Sequence, residues 1–404
     1  MVFNSTAEAL TISLVIIFIL IIVSPLLSKR VRIPVIVIEL IFGLIIGRSL
    51  LDIIPSHPII EFFSSFGLVY LMFLVGLEVD FNAIRNHLYS TLIIALFSIS
   101  VPFLAGTALS FQLMVHPLLL GTVFSTTSLG IILPLSRELE YSEEYKYVLL
   151  VSVTLVDVLS IFLLAFALSI IKGPIEASFF YSLIAILSLF LIPTFIRRIR
   201  GGEFRDRARE WIHEKTHFEF GVRWAFALIV VLAAVSGWLG FHSIIGSFIA
   251  GLIVSELIPE EIPILKEKLA SFGYGFFIPL FFIITGAKVN IPLLLSNITN
   301  INHLTLIIIV AIVSKVIGVF IATKIIGFNF RESVSFGLFH SARISLIIAA
   351  AEISIELGLI DEALFSIFVI LAIFSAIFGP SIGKHVLINQ KITLQTTSSS
   401  DNLA

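Results

Sequence analysis

Three ionisable residues stand inside long apolar stretches of the chain, and their types suggest an ion site. Asp157 lies in "LLVSVTLVDVLSIFLLAF", Lys315 in "VSKVIGVFIATK" and Arg343 in "FHSARIS". A charged side chain at the centre of a bilayer costs at least about 2.5–3.5 kcal/mol on insertion scales. A chain keeps such groups when they pair with one another or bind a charged species. The sequence therefore predicts a charged site at membrane depth.

Asp157 is the strongest candidate for binding a transported ion. Desolvation favours the neutral form of a buried carboxyl group, whereas a nearby cation favours the carboxylate. A carboxyl group balanced between these effects is able to hold either a proton or a metal cation. Thr154 and Ser160 lie three residues to either side of it, on the same face of a helix. Further oxygen ligands would come from a break in the preceding apolar span, at Thr126, Thr127 and Ser128.

Each of these residues also has a plainer explanation. Asp157 would form a purely structural salt bridge with Lys315 or Arg343, and Lys315 would merely neutralise a buried charge. We expect Arg343 to be a fixed charge that bridges broken helix ends. Glu39 is either a second acid near the site or, as we favour, an acid that extends toward the membrane interface. We expect His340 to be a packing residue, and the Thr/Ser run would simply hold helices together.

Composition sets the class of protein in which this chemistry would occur. The chain has 404 residues, of which 58% are hydrophobic and 13% charged. Apolar runs of about twenty residues recur, which is the length that crosses roughly 30 Å of hydrocarbon. The sequence thus predicts an all-α polytopic membrane protein. Cysteine is absent from the sequence, which excludes disulfides, thiolate chemistry and zinc–thiolate sites.

The apolar pattern predicts about thirteen transmembrane helices. The first is expected to be a retained helix, since its basic cluster follows the apolar run instead of preceding it. A long solvated segment rich in both acidic and basic residues occupies 197–217. The candidate spans are 10–28, 34–51, 60–78, 87–113, 117–136, 146–171, 177–197, 220–239, 241–257, 270–287, 303–327, 332–354 and 362–383.

Lysine and arginine are distributed unevenly between the two sides of these spans. Arg48, Lys172 and Lys288 fall on one side. The other side has Lys29, Arg30, Arg32, Arg85, Arg137, Lys146, the cluster from Arg197 to Lys215, Lys266, Lys268, Lys324, Arg331, Lys384 and Lys391. Because basic loops stay in the cytoplasm, this asymmetry predicts an outside N-terminus and a cytoplasmic C-terminus. The polar tail 386–404 is expected to be cytoplasmic, and its last ten residues, "QTTSSSDNLA" (395–404), are expected to be disordered.

Two spans carry polar interruptions at mid-depth, "FSTTSLG" (124–130) and "FHSARIS" (339–345). Backbone that leaves the helix at this depth is tolerated where protein or a cavity surrounds it. The Asp157 span follows the first interrupted span, whereas the Lys315 span precedes the second. This order is the one that an inverted repeat would produce, with a transport site between the repeats.

Four segments together resemble a known family. They are "GLVYLMFLVGLEVDFNAI" (67–84), "FSTTSLGIILPLSREL" (124–139), "LVDVLSIF" (155–162) and "VSKVIGVFIATK" (313–324). In this order, over nearly the whole chain, they resemble the bacterial and archaeal cation:proton antiporters of the NapA and Kef branch, the monovalent cation:proton antiporter-2 type. Each segment alone is merely apolar with a few glycines.

The resemblance implies an NhaA/NapA-like inverted-repeat fold with two broken, crossing helices. A scaffold and dimerisation part would comprise about 1–80 and 218–290. A core transport part would comprise about 86–172 and 302–385, with a linker at 173–217. The core would move like an elevator against the scaffold of a homodimer, in the plasma membrane of a prokaryote.

The resemblance also assigns roles to individual residues. Its ion-binding aspartate falls on Asp157, its core lysine on Lys315, and its unwound stretch on 126–128. One departure concerns the residue before the aspartate, which is Asp, Asn or Gln in the family and Val156 here. A single carboxylate favours one-for-one electroneutral exchange, whereas a proton released by Lys315 in each cycle would make exchange electrogenic.

The sequence thus predicts a secondary antiporter that exchanges Na+, or K+ or Li+, for H+, with Asp157 binding the metal ion. Two alternatives stay open: a sodium-coupled organic-anion carrier of related fold, and a transport-inactive membrane sensor. An enzyme is not expected, because the chain lacks an HExxH motif and a membrane aspartate pair. We expect no cofactor and no nucleic-acid partner; the lipid bilayer, the transported ions and a second copy are the expected partners.

Overall fold

A computed structural model describes residues 6–55, 57–79, 88–139, 141–172, 219–257 and 263–401. Every regular element in these ranges is helical. The helices are α1 (Thr6–Val31), α2 (Val35–Ile46), α3 (Pro58–Glu78), α4 (Leu88–Leu113), α5 (Pro117–Ser125), α6 (Leu129–Glu138), α7 (Glu143–Lys172), α8 (Phe220–Trp238), α9 (Ser243–Leu257), α10 (Pro263–Phe272), α11 (Ile278–Lys288), α12 (Ile291–Leu295), α13 (Ile298–Ile326), α14 (Phe330–His340), α15 (Ser345–Glu356) and α16 (Glu362–Asp401). A π-helical turn, Gly273–Phe277, joins α10 to α11.

The described helices account for ten candidate membrane spans by length and composition. Three of the ten are composite, because α5 with α6, α14 with α15, and α10 with α11 and α12 each form one span. Two shorter apolar helices, Val35–Ile46 and Ser243–Ser255, stand at the second and ninth predicted positions. The predicted span 177–197 and the linker 173–217 lie outside the described residues. An all-helical polytopic membrane protein is thereby confirmed.

The chain divides into two compact units, each made of segments that are distant in sequence. The first unit comprises Met1–Leu27, Glu39–Asp80 and Leu168–Ala287. The second comprises Ser28–Ile38, Phe81–Ala167 and Lys288–Ala404. All of the site residues predicted from the sequence belong to the second unit.

In the first unit, α3 packs against α9 and against the π-helical turn. An apolar cluster of Ile17, Ile46, Ile60, Leu280, Ile283 and Ile284 lies at its centre. Two buried hydroxyl groups also link these elements through backbone carbonyls. Ser247 donates to the Val69 oxygen at 2.5 Å, and Tyr70 donates to the Leu269 oxygen at 2.9 Å. The two hydroxyl groups and the two carbonyls thereby satisfy one another's hydrogen bonds, which the lipid could not do.

In the second unit, α13 packs against α4 and α14, and α16 packs against α14 and α15. The connection from α13 to α14 is tight because Gly327 adopts a positive φ of 107°, which favours glycine. The next helix starts with a capping box, in which Asn329 and Glu332 each bond the other's backbone N–H. The glycine and the capping box together fix the end of α13 and the start of α14, where the second interrupted span begins.

The last helix is longer than the sequence predicts. The tail was expected to be disordered, whereas α16 continues to Asp401. Once the packed part of a helix has formed, each further residue adds a hydrogen bond at small cost, so polar residues are able to extend it. The helix thus continues through residues for which the sequence predicts disorder.

Candidate functional site

The first interruption is a three-residue break between α5 and α6. α5 ends at Ser125, Thr126 and Ser128 have extended backbone angles, and α6 begins at Leu129. The hydroxyl of Thr126 donates to the Val123 oxygen at 2.9 Å. Serine and threonine side chains compete in this way with helical hydrogen bonds, which explains why a run of four of them opens the helix here.

The second interruption lies between α14 and α15 and meets the first. The helix ends at His340 and resumes at Ser345. Thr127 donates its hydroxyl proton to the His340 oxygen at 3.1 Å, and the Ser128 N–H donates to the Ala342 oxygen at 3.0 Å. The hydroxyls of Ser128 and Ser345 lie 3.4 Å apart. Each break therefore supplies partners for backbone groups that the other break exposes.

Arg343 is fully buried and connects both breaks. Its Nη1 donates to the Phe124 oxygen near the end of α5 at 2.9 Å, and its Nε to the Ser341 oxygen at 3.2 Å. Its Nη2 reaches the Ala311 oxygen of α13 at 3.0 Å. The planar guanidinium has donors for all three carbonyls at once. Its positive charge also suits the C-terminal end of a helix.

Lys315 is fully buried in α13, and backbone carbonyls hold its ammonium group. Nζ donates to the Ser125 oxygen at 2.6 Å and to the Ser98 oxygen at 2.8 Å. Ser125 is the last residue of α5, so its carbonyl has no partner within that helix. α13 approaches α4 closely because residue 318 is glycine: a Cβ there would lie 2.5 Å from the Phe97 oxygen.

Asp157 occupies the opposite end of the first break. It is 3% exposed, and its Oδ2 accepts a hydrogen bond from the N–H of Leu129, the first residue of α6, at 3.4 Å. The N-terminus of a helix favours negative charge, as its C-terminus favours positive charge. The break thus has two cations at the end of α5 and a carboxylate at the start of α6. Val156, beside Asp157, is buried and adds no polar group.

The hydroxyl groups near Asp157 differ in their surroundings. Ser160 is buried, and its hydroxyl lies 3.5 Å from the Ser125 oxygen, the same oxygen that Lys315 binds. Thr154 is half-buried and donates to the Leu150 oxygen of its own helix at 2.8 Å. Thr126 and Thr127 are fully buried. A hydroxyl that donates its proton to a carbonyl keeps its oxygen lone pairs for another partner.

His340 makes polar contacts that sequence reasoning missed. Its Nε2 lies 3.0 Å from the Ser152 hydroxyl on α7, and its Nδ1 lies 3.4 Å from the Ser98 hydroxyl on α4. Ser152 also donates to the Leu149 oxygen at 3.0 Å. His340 is therefore a polar link between α4 and the helix of Asp157, in addition to packing. A signal was present in the sequence, since both serines interrupt apolar runs.

The expectation for Glu39 in the first unit was wrong. This acid was predicted to extend toward the membrane interface, but it is 2% exposed. Its Oε1 accepts a hydrogen bond from Ser24 at 3.3 Å. The Ser24 hydroxyl takes the place of water as the hydrogen-bond donor to Glu39, because a buried polar group in a membrane protein needs a partner within the protein.

A sequence model described as "Sodium/hydrogen exchanger, transmembrane" matches residues 14–389. The chain belongs to the sodium/hydrogen exchanger family. This family consists of transporters, not enzymes. The match includes both breaks and all three buried charges, so the site described above lies within the family's own region.

Curated relatives agree with membership in the exchanger family, and a solved structure has a similar fold. A probable Na+/H+ antiporter 3 of Methanocaldococcus jannaschii is 31% identical, covering 91% of this chain and 94% of that protein. A putative Na+/H+ antiporter of Bacillus subtilis is 30% identical over 91% of this chain and 62% of its own length. The fold resembles the sodium proton antiporter MjNhaP1 of M. jannaschii, with a TM-score of 0.70, 17% identity, and coverage of 94% of this chain and 99% of that one.

Proposed function

We propose that this exchanger is a secondary antiporter that moves a monovalent cation, Na+ first, against H+, with Asp157 as the shared binding group. Cation/proton antiport is the activity named for its relatives in M. jannaschii and B. subtilis. The observation that carries the residue assignment is the position of Asp157: a buried carboxyl group at the start of a broken helix, in a chain of the exchanger family.

The exchange mechanism follows from the cost of an uncompensated charge at membrane depth. A buried carboxylate is costly unless it is neutralised. A bound proton and a bound Na+ each neutralise Asp157, and the two compete for the same oxygens. When the site faces one side of the membrane, Na+ replaces the proton on Asp157. When it faces the other side, a proton replaces Na+. The gradient of one ion thereby drives the other.

The remaining ligands for a hard cation would be oxygens. We propose the hydroxyls of Ser160 and of the first break for this role, since their oxygens keep lone pairs while their protons serve carbonyls. Thr154 is a weaker candidate because it is half-buried and bonds to its own helix. The proposed ligand set beside Asp157 is Thr126, Thr127, Ser128, Thr154 and Ser160.

Lys315 and Arg343 are proposed to compensate charge without binding the transported ion. Both donate to carbonyls at the end of α5, where the helix has its partial negative charge. Val156 offers no second titratable group beside Asp157. One proton for one cation, with no net charge moved, is the resulting stoichiometry.

Several finer features are proposed on the resemblance and on the order of the helices. The broken pair α5 and α6 precedes the Asp157 helix, and the broken pair α14 and α15 follows the Lys315 helix. This order supports the proposal of an inverted repeat. The thirteen-span, NapA/Kef-like organisation is proposed on the resemblance alone. The second unit would be the moving transport part and the first unit the scaffold of a homodimer. We propose a prokaryotic plasma membrane, an outside N-terminus and a cytoplasmic C-terminus.

The test is proton flux in proteoliposomes that contain a trapped pH dye. Addition of Na+, Li+ or K+ should drive proton movement with the unaltered protein, and Asp157→Asn should abolish it, since Asn cannot exchange a proton. Asp361→Asn is the matched control: Asp361 is exposed and caps Leu364 at 2.8 Å, and asparagine caps equally well. Proton flux that persists in Asp157→Asn, or no flux with any of the three ions, would reject the proposal.

A further inference from the structure

The carbonyl of Ser98 is available to Lys315 for a reason that lies four residues further along α4. In an α-helix the oxygen of residue 98 accepts a hydrogen bond from the N–H of residue 102. Residue 102 is proline, which has no N–H, and it lies inside α4 and is buried. The proline ring also pushes the carbonyl of residue i−4 away from the helix axis. The Ser98 oxygen thus lacks its helical donor.

The ammonium group of Lys315 takes the place of that donor. Nζ lies 2.8 Å from the Ser98 oxygen and 2.6 Å from the oxygen of Ser125, which lacks a helical donor because α5 ends there. The two acceptors therefore arise from two separate interruptions, a proline in α4 and the break after α5. A buried ammonium needs such acceptors, because no water replaces them at this depth.

We propose that Pro102 is a positioning residue for transport: by leaving the Ser98 carbonyl without a helical donor, it docks Lys315 on backbone oxygens and keeps the lysine from competing with the cation at Asp157. Lys315 and Asp157 contact opposite ends of the first break: Nζ binds the Ser125 oxygen before it, and Oδ2 accepts from the Leu129 N–H after it. Ser160, one turn from Asp157, lies 3.5 Å from the same Ser125 oxygen that Lys315 binds. An ammonium released from Ser98 would thus have Asp157 as its alternative partner.

The decisive comparison is between two replacements of Pro102 that differ by one atom. Pro102→Ala restores an N–H to the Ser98 carbonyl. Lactic acid at residue 102, introduced by nonsense suppression, has the alanine side chain but an ester oxygen in place of N–H. We expect the alanine variant to raise the KM for Na+ on the order of threefold to tenfold, because a released Lys315 competes with Na+. The lactic acid variant should keep the KM of the unaltered protein.

Two controls separate docking from a general effect on the helix. Pro380→Ala is the first control, because it removes a proline from inside α16. Both carbonyls that Lys315 binds lie in other helices, so this variant should have the KM for Na+ of the unaltered protein. In a Lys315→Met background the alanine and lactic acid variants should have the same KM. An unchanged KM in Pro102→Ala, or the same increase with alanine and lactic acid, would overturn the proposal.

The transport readout rests on the proposed antiport, so a second readout is independent of it. Replacing an ester by an amide in a helix normally raises stability. We therefore expect the alanine variant to have a higher thermal midpoint than the lactic acid variant. This difference should be larger in the Lys315→Met background than with Lys315 present, because no ammonium then occupies the Ser98 carbonyl. An equal difference in both backgrounds would overturn the docking of Lys315, whereas absence of flux in the unaltered protein would refute the antiport alone. If the lactic acid variant folds and the alanine variant does not, the result would support docking of Lys315 on the Ser98 carbonyl.

Discussion

Arg343→Lys is expected to destabilise the second unit although it keeps the positive charge. The guanidinium bonds three carbonyls on three separate segments, at 2.9, 3.0 and 3.2 Å. An ammonium is a compact point charge and cannot bridge all three, so two contacts are lost. Hydrogen bonds to charged groups contribute about 1.5–3 kcal/mol each, which gives a loss of about 3–6 kcal/mol. For a domain of this size the thermal midpoint should fall by roughly 6–24 °C.

The measurement is thermal unfolding in detergent, followed by the helical circular dichroism signal or by the folded fraction that survives heating. Arg331→Lys is the matched control, because Arg331 is exposed in the first turn of α14. Surface substitutions usually change stability by at most about 0.5 kcal/mol. If Arg343→Lys and Arg331→Lys unfold at the same temperature, the three carbonyl contacts do not hold the breaks together, and the argument for Arg343 as their bridge is refuted.

Three further outcomes are expected. Gly318→Ala should weaken both folding and cation exchange, because its Cβ would lie 2.5 Å from a backbone oxygen of α4; normal flux and midpoint would contradict the close packing. Lys288→Met should change stability by at most about 1 kcal/mol, since its 2.7 Å ion pair with Glu352 is partly exposed; a chemical unfolding curve measures this. Burial, followed by the hydrogen bond and charge of Glu332, raises the pKa of Tyr141, so its stabilisation is complete below pH 10 and is lost as pH rises beyond that. Tyr141→Phe should therefore reduce the alkaline fall in stability, and an identical fall in both proteins would contradict this.

The breaks and the buried charges were accessible from the sequence because they interrupt a strong pattern. A run such as "STTS" inside a membrane-length apolar stretch has few explanations other than an opened helix. The structure opens the chain at 126–128 and again after His340. Burial of Asp157, Lys315 and Arg343 likewise follows from their distance to the ends of their apolar stretches.

The partners of those charges were not accessible in the same way. Sequence reasoning pairs side chains with side chains, so it considered salt bridges of Asp157 with Lys315 or Arg343. The structure shows Lys315 and Arg343 bonded to backbone carbonyls, which no residue letter marks. Pro102 was the visible signal for one of them, because a proline within a helix always removes a donor from the carbonyl four residues before it. Connecting that carbonyl to a lysine more than two hundred residues later requires the packing of α4 against α13.

A single carboxyl group next to Val156 has a consequence for how tightly the two fluxes are linked. In the proposed mechanism Asp157 contributes the same net charge with a proton bound as with a monovalent cation bound, so both loaded forms are equally suited to the interior of the protein. With neither bound, Asp157 is a buried carboxylate while the nearby cations Lys315 and Arg343 stay bonded to backbone carbonyls, so the empty form is the costlier one at this depth. In the proposed mechanism the empty carrier therefore returns less readily than either loaded form, which limits slippage and the leak of either gradient.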